Sequence, residues 1–264
     1  EPSEIIMSNQ KPTPIKPFGN VDDLQGFYRL LVEHTTWLRE RNYSEATIKK
    51  RIIYVRQFAR WCFDRDLSRP NLITKPIIES YQRHLYRYRQ SNGEPLSWGS
   101  QHLALKELRA YFGWLAKLNH IAFSPAAQID LPKQPKTLPK AILSADEVER
   151  VLAQPDVTTP LGLRDRAIWE TFYSTGIRRF ELCNLRLDDI QVDRRAVFVG
   201  EGKGKKDRYI PIGTRALTWI ARYVETVRDQ LATNDGNRAL FLTIHGKSIA
   251  PNTLTEYGRR YLSS

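Results

Sequence analysis

Two cationic side chains sit where their surroundings would hold them out toward an anion. Arg178 comes two residues after Gly176, which follows an apolar-periodic stretch carrying Ile168, Phe172 and Tyr173. The glycine reads as a left-handed cap that ends one helix, and Arg178 opens a second through Arg179, Phe180, Glu181, Leu182 and Leu185. Glu181 lies one turn on, where its carboxylate can steady the guanidinium. A guanidinium fixed at such a junction is a planar fork of donors suited to a phosphate. Lys203 stands in Gly200-Glu201-Gly202-Lys203-Gly204-Lys205-Lys206, between two short strands read at Ala196 to Val199 and Arg208 to Pro211. Flanking glycines permit close backbone approach, and a flexible ammonium there can give up a proton or place a charge on a phosphate oxygen. Each has an ordinary alternative: a structural ion pair for Arg178, a solvated hairpin tip for Lys203. The glycines do not form a nucleotide cradle, since GxxxxGK[ST] is absent and no helix follows the GxGxG directly.

Taken together, Thr175-Gly176-Ile177-Arg178-Arg179-Phe180-Glu181-Leu182 and Gly202-Lys203-Gly204-Lys205-Lys206-Asp207-Arg208, with Leu163-Arg164-Asp165-Arg166 upstream, resemble the tyrosine recombinase (phage integrase) family, and its bacterial Xer-like members in particular. The resemblance implies that Arg178 is the first catalytic arginine, Glu181 its supporting acid and Lys203 the lysine of the β-turn. It implies DNA strand cleavage and rejoining through a 3′-phosphotyrosyl intermediate, with Arg178 stabilising the phosphorane and Lys203 protonating the departing 5′-oxygen. That chemistry needs neither metal nor nucleotide cofactor. It further implies a double-stranded DNA recombination site as partner and a homo-tetramer on DNA for the full-length enzyme. The family's set continues with His-x-x-Arg and, beyond it, a further His or Trp and the tyrosine; no His-x-x-Arg follows Lys203 here, so no residue stands in the later positions. The expectation is therefore a chain truncated before those motifs, which binds DNA without cleaving it. The alternative is a non-catalytic DNA-binding regulator with a recombinase-like fold.

The elements that must position these residues fall into two groups. The chain has 264 residues, 41% of them hydrophobic, enough for two domains. The formal charge of +12 favours a polyanionic partner, and residues 41–120 alone hold 15 Lys/Arg against 6 Asp/Glu. Residues 1–20 carry four prolines and no periodicity, reading as a flexible lead-in. Residues 21–130 read as a four-helix, SAM-like core-binding bundle. Its first helix is capped by Asp22 or Asp23 and runs through Leu24, Phe27, Leu30 and Leu31; the second starts from Ser44, the third near Pro76, ended by Ser91-Asn92-Gly93, and the fourth at Ser97 or Ser100. Lys49, Lys50, Arg51, Arg56 and Arg60 fall on outward faces of the second helix. By the resemblance the second and fourth helices meet DNA grooves, with Lys50, Gln101, Lys106 and Arg109 as candidate contacts. Residues 131–140, with three prolines and three lysines, read as a linker. Residues 141–264 read as a partial catalytic domain, mixed α+β with a small antiparallel sheet: a capping-box helix from Ser144, the two strands, a helix from Thr214 to Leu231, a third strand at Ala239 to Leu242, and a helix from Pro251 to Leu262. The whole is mainly α.

Two look-alikes are set aside. His84-Leu85-Tyr86-Arg87 has the His-x-x-Arg spacing but lies far upstream of Arg178. Tyr257 and Tyr261 are not preceded by that motif and read as packing residues. Cys62 and Cys183 lack metal-site spacing and read as buried thiols. No apolar run is long enough to span a membrane, so a cytoplasmic, nucleoid-associated protein is expected.

Overall fold

The computed structural model describes residues 12–135, 142–200, 207–232 and 236–262. It divides into two compact units, one ending at Leu138 and one beginning at Pro139.

The first unit is a bundle of α1 (Phe27–Glu40), α2 (Glu45–Phe63), α3 (Lys75–Arg87) and α4 (Trp98–Lys117). Serine caps set two of the starts: Ser44 accepts from the Thr47 amide and Ser97 from the Ser100 amide. Apolar positions three and four apart then turn inward, so Phe27, Leu31, Ile48, Val55, Phe58, Ile78, Leu105 and Leu108 are buried. Three expectations are corrected. The first helix starts at Phe27, not at an Asp22 or Asp23 cap: the Asp23 carboxylate instead takes the Gln25 amide and Arg69, and Leu24 is left 73% exposed. α3 ends at Arg87, before Ser91; Arg89 and Pro95 then bridge around a turn with Gly93 at φ 81°. Arg51 is not a surface residue. It is buried between α2 and α4, donating to Glu107 at 2.6 Å and meeting His34 Nε2 at 2.8 Å.

The second unit runs α5 (Ala145–Ala153), α6 (Pro160–Thr175), α7 (Arg179–Cys183), β1 (Ile190–Gln191), β2 (Ala196–Val199), β3 (Arg208–Pro211), α8 (Thr214–Tyr223), α9 (Asp229–Leu231) and α10 (Pro251–Leu262). Ser144 and Glu147 form the expected reciprocal capping box at α5. The sheet is antiparallel in the order β1-β2-β3, with Val197 opposite Ile190 on one side and Ile210 on the other. Its inward residues Val197 and Val199 join Ala167, Ile168, Leu182, Ile220, Tyr223 and Leu240 in the core.

The third strand is thus Ile190–Gln191, and the stretch at residues 239–242 makes only isolated bridges. The physical reason is that Leu240, Phe241 and Leu242 are all buried, leaving no alternation of faces. The backbone of Leu242 is also engaged by side chains, its amide by the Tyr223 hydroxyl and its carbonyl by Arg164. The helix expected over residues 214–231 is broken by a π-turn at Val224–Arg228, which directs the buried Arg228 guanidinium onto the Asn237 and Ala239 carbonyls. Cys62 and Cys183 are free and buried, and burial pushes their thiols up to about 12 and about 11. Among the described residues no helix is long and apolar enough to cross a membrane.

Candidate active site and nucleic-acid interface

Arg178 is positioned by the backbone on both sides of it. α6 ends at Gly176, whose φ of 59° is left-handed, and its amide still donates to Phe172 O at 2.9 Å. Thr175 Oγ1 then accepts from the Ile177 amide at 3.2 Å, so the chain turns sharply and buries Ile177. Arg178 becomes the N-cap of α7, and Glu181 reaches back to its amide at 3.0 Å. The same carboxylate accepts from Arg178 Nη1 at 3.0 Å. The Arg178 side chain is nevertheless 58% exposed, so the remaining donors of its fork point to solvent.

Glu181 is the hub of the site. Its side chain is buried, and besides Arg178 it takes a bidentate pair from Arg208, Nη1 at 3.0 Å and Nη2 at 2.7 Å. The Arg208 bonds, helped by the Arg178 amide and side chain and opposed by burial, lower the Glu181 carboxyl to about 2. Arg208 begins β3 and pairs with Val199 at the end of β2. These strands bracket the connection that contains Lys203, so the hairpin and the Arg178 turn are tied together through one carboxylate. Lys203 itself lies outside the described residues.

Arg208 is the site residue that sequence reasoning missed. As the first residue of a strand it carried no periodic signal, and what calls for it is the burial of Glu181, which one half-exposed arginine does not neutralise. Replacing Arg208 with Ala should lower the stability of the second unit, because the buried Glu181 carboxylate loses its bidentate partner. It should also change the acid response. A carboxyl lowered from 4.5 to about 2 contributes stability that is complete above pH 4.5 and lost as pH falls toward 2. In Arg208→Ala the folded carboxyl loses its main partner, so the loss below pH 4.5 should be smaller and end at a higher pH, read from urea unfolding between pH 2 and 6.

The four groove candidates do not share one environment. Lys50 on α2 and Lys106 on α4 are exposed. Gln101 is only 3% exposed and donates its amide to Leu96 O at 2.9 Å. Arg109 is half-buried and donates to the Ala126 and Ile129 carbonyls. Gln101 therefore holds the turn just before α4, and Arg109 holds backbone that leads out of the bundle. Gln82, bonded to Asp130 O, and His102, bonded to Pro132 O, hold the next residues of the same stretch.

Tyr257 and Tyr261 pack as the sequence suggested. Tyr261 donates to Asp165 at 2.8 Å, and its hydroxyl is raised above the usual range, first by burial and then by that carboxylate. Tyr257 lies against the core of the second unit. His84 and Arg87 are on α3, in the first unit, whereas Arg178 is in the second.

The two units are thus a four-helix bundle and an α+β unit in which one buried carboxylate ties an exposed arginine to a β-hairpin, and the family matches say which class this architecture belongs to. The chain belongs to the phage integrase family: residues 141–264 match the family model described as the phage integrase family, and residues 30–120 that of the phage integrase N-terminal SAM-like domain. It is 47% identical to tyrosine recombinase XerC 2 of Ralstonia nicotianae over 89% of its own length and 67% of the relative's. It is 34% identical to tyrosine recombinase XerD of Listeria monocytogenes, over 80% of this chain and 69% of that one. The chain thus spans about two thirds of these relatives. Among solved structures, it shares a fold with the Tn1549 transposon integrase in complex with circular intermediate DNA (TM-score 0.66, 19% identity, 90% of this chain and 78% of that one). A lambda integrase tetramer bound to a Holliday junction is similar at TM-score 0.64 and 18% identity, over 92% of this chain and 64% of that one.

Proposed function

We propose that this chain is the DNA-binding part and the first catalytic-arginine part of a site-specific DNA recombinase. The observation that carries the reading is the Arg178 turn: a guanidinium locked at its base by Glu181, yet open to solvent along its outer edge. A buried carboxylate held ionised by Arg208 fixes Arg178 without neutralising it at the surface. In the reaction Arg178 stabilises charge on the phosphoryl oxygens as strand cleavage proceeds, and Lys203 supplies the proton to the departing 5′-oxygen. The 264 residues hold no His-x-x-Arg after Arg178, so the rest of the constellation and the tyrosine come from outside them. Lys50 and Lys106 contact the duplex, while Gln101 and Arg109 act through the backbone they hold. The site of action is the DNA of the cytoplasm and nucleoid, and the active assembly is a tetramer on DNA.

Incubation with a nicked suicide duplex tests the catalytic division. The expected result is a shifted band on a native gel and no protein-DNA adduct on a denaturing gel. A covalent adduct would overturn the assignment. Lys50→Ala and Lys106→Ala should each weaken duplex binding across sequences and reduce the slope of log K against log salt by about 1. An unchanged slope in both would remove these helices from the interface.

A further inference from the structure

One cleft of the first unit takes no part in this reading. It lies among α2, α3 and the start of α4 and holds about 710 Å³, within the range of sites that take one small ligand. Its wall is a run of rings, with Trp61 and Tyr81 centred 5.2 Å apart, Tyr81 stacked on His84 at 5.9 Å, and His84 6.2 Å from Tyr88. His84 and Tyr88 are exposed, so their faces are open to a ligand. Arg65 lies over the Trp61 ring at 4.1 Å, and Arg60 stands on the same lining. Among the described residues, the Tyr54 and Tyr81 hydroxyls, the His84 ring nitrogens and the Arg60 guanidinium take no protein partner. Asp64 is the one acid on the lining.

Flat rings, unused donors and two guanidinium groups in one cleft match a planar heterocycle that carries a phosphate. Burial, and then the charge of Arg65, hold His84 below its usual range, so at pH 7 it offers a neutral ring for stacking. The cleft is too small for a duplex. It is, however, continuous with a helix face assigned to DNA, because Lys50, Tyr54, Gln57 and Trp61 follow one another at helical spacing and the last three line the cleft.

We propose that this cleft receives a single unpaired nucleotide of the bound DNA, its base stacked against the exposed His84 and Tyr88 rings, which the buried Tyr81 backs, and its phosphate on Arg60. The proposal rests on the reading of α2 as a DNA-facing helix. It makes the first unit a sensor of distorted or unpaired DNA as well as a duplex binder.

The test is anisotropy titration of the chain with two duplexes of one sequence, one fully paired and one carrying a single bulged 2-aminopurine. The expected result is about tenfold tighter binding of the bulged duplex, with the 2-aminopurine fluorescence quenched by stacking. In a His84→Ala/Tyr88→Ala variant the preference and the quenching should both disappear, while affinity for the paired duplex stays unchanged. Both side chains are exposed, and a thermal melt confirms that the variant folds; the quenching in the unaltered chain reads the same contact without any variant. Equal affinity for the two duplexes without quenching, or quenching that persists in the variant, overturns the cleft assignment alone. Binding of neither duplex overturns the DNA reading along with it.

Discussion

Asp165→Asn should destabilise the second unit by about 3–5 kcal/mol, the loss typical when one member of a buried ion pair is removed. Arg164 and Asp165 are each 1% exposed. Asp165 Oδ1 accepts from Arg164 Nε at 2.9 Å and Nη2 at 2.7 Å, and Oδ2 accepts from the Tyr261 hydroxyl and from Arg260. The neutral amide leaves a fully buried guanidinium without its counter-charge, held by the Leu242 carbonyl and the Tyr257 ring, and gives Tyr261 a weaker acceptor. Because Leu242 and α10 both hang on this pair, the melting transition of the second unit should fall by on the order of 10 °C. Tyr261→Phe removes a neutral hydroxyl that donates to Asp165 and accepts from the exposed Arg260, leaves the buried charge pair intact, and should cost about 1 kcal/mol. Comparable losses in the two variants would show that the ion pair is not the anchor.

Glu107→Ala should have an effect of similar size on the first unit, again about 3–5 kcal/mol, since it strands Arg51 between α2 and α4. The cluster also carries a pH signature. Burial, then the Arg51 charge, lower His34 from 6.5 to about 3. The unfolded chain takes up a proton between these values and the folded unit does not. Stability is therefore full above pH 6.5 and falls as pH drops from there toward 3, by about 1.4 kcal/mol per unit in the steepest part. His34→Gln should flatten that limb in pH-dependent urea unfolding, and an unchanged limb would place the acid sensitivity elsewhere.

Most of the architecture was legible because it rests on local signals. Ser44, Ser97 and the Ser144 to Glu147 box announce helix starts, Gly176 announces a stop, and apolar periodicity marks the buried faces. The Arg178 to Glu181 contact was legible for the same reason, being one turn of one helix. What escaped is non-local. Arg51 looks like any outward helix arginine until α4 brings Glu107 across 56 residues of chain. Arg208 joins Glu181 across 27 residues, and only the folded sheet makes them neighbours. Gln101 and Arg109 have the residue types of base and phosphate readers, yet carbonyls of a later loop, or of the turn just before α4, claim their donors first. The segment 239–242 has strand composition, but three consecutive buried side chains and the Tyr223 and Arg164 bonds leave its backbone no room in the ladder.

The most direct test of the central claim is an equilibrium titration of the chain against double-stranded DNA over a range of salt concentrations. The account predicts binding whose log K falls linearly with log salt over several phosphate contacts, as a cationic bundle with exposed Lys50 and Lys106 requires. Absence of duplex binding at low salt, or an affinity indifferent to salt, would contradict it.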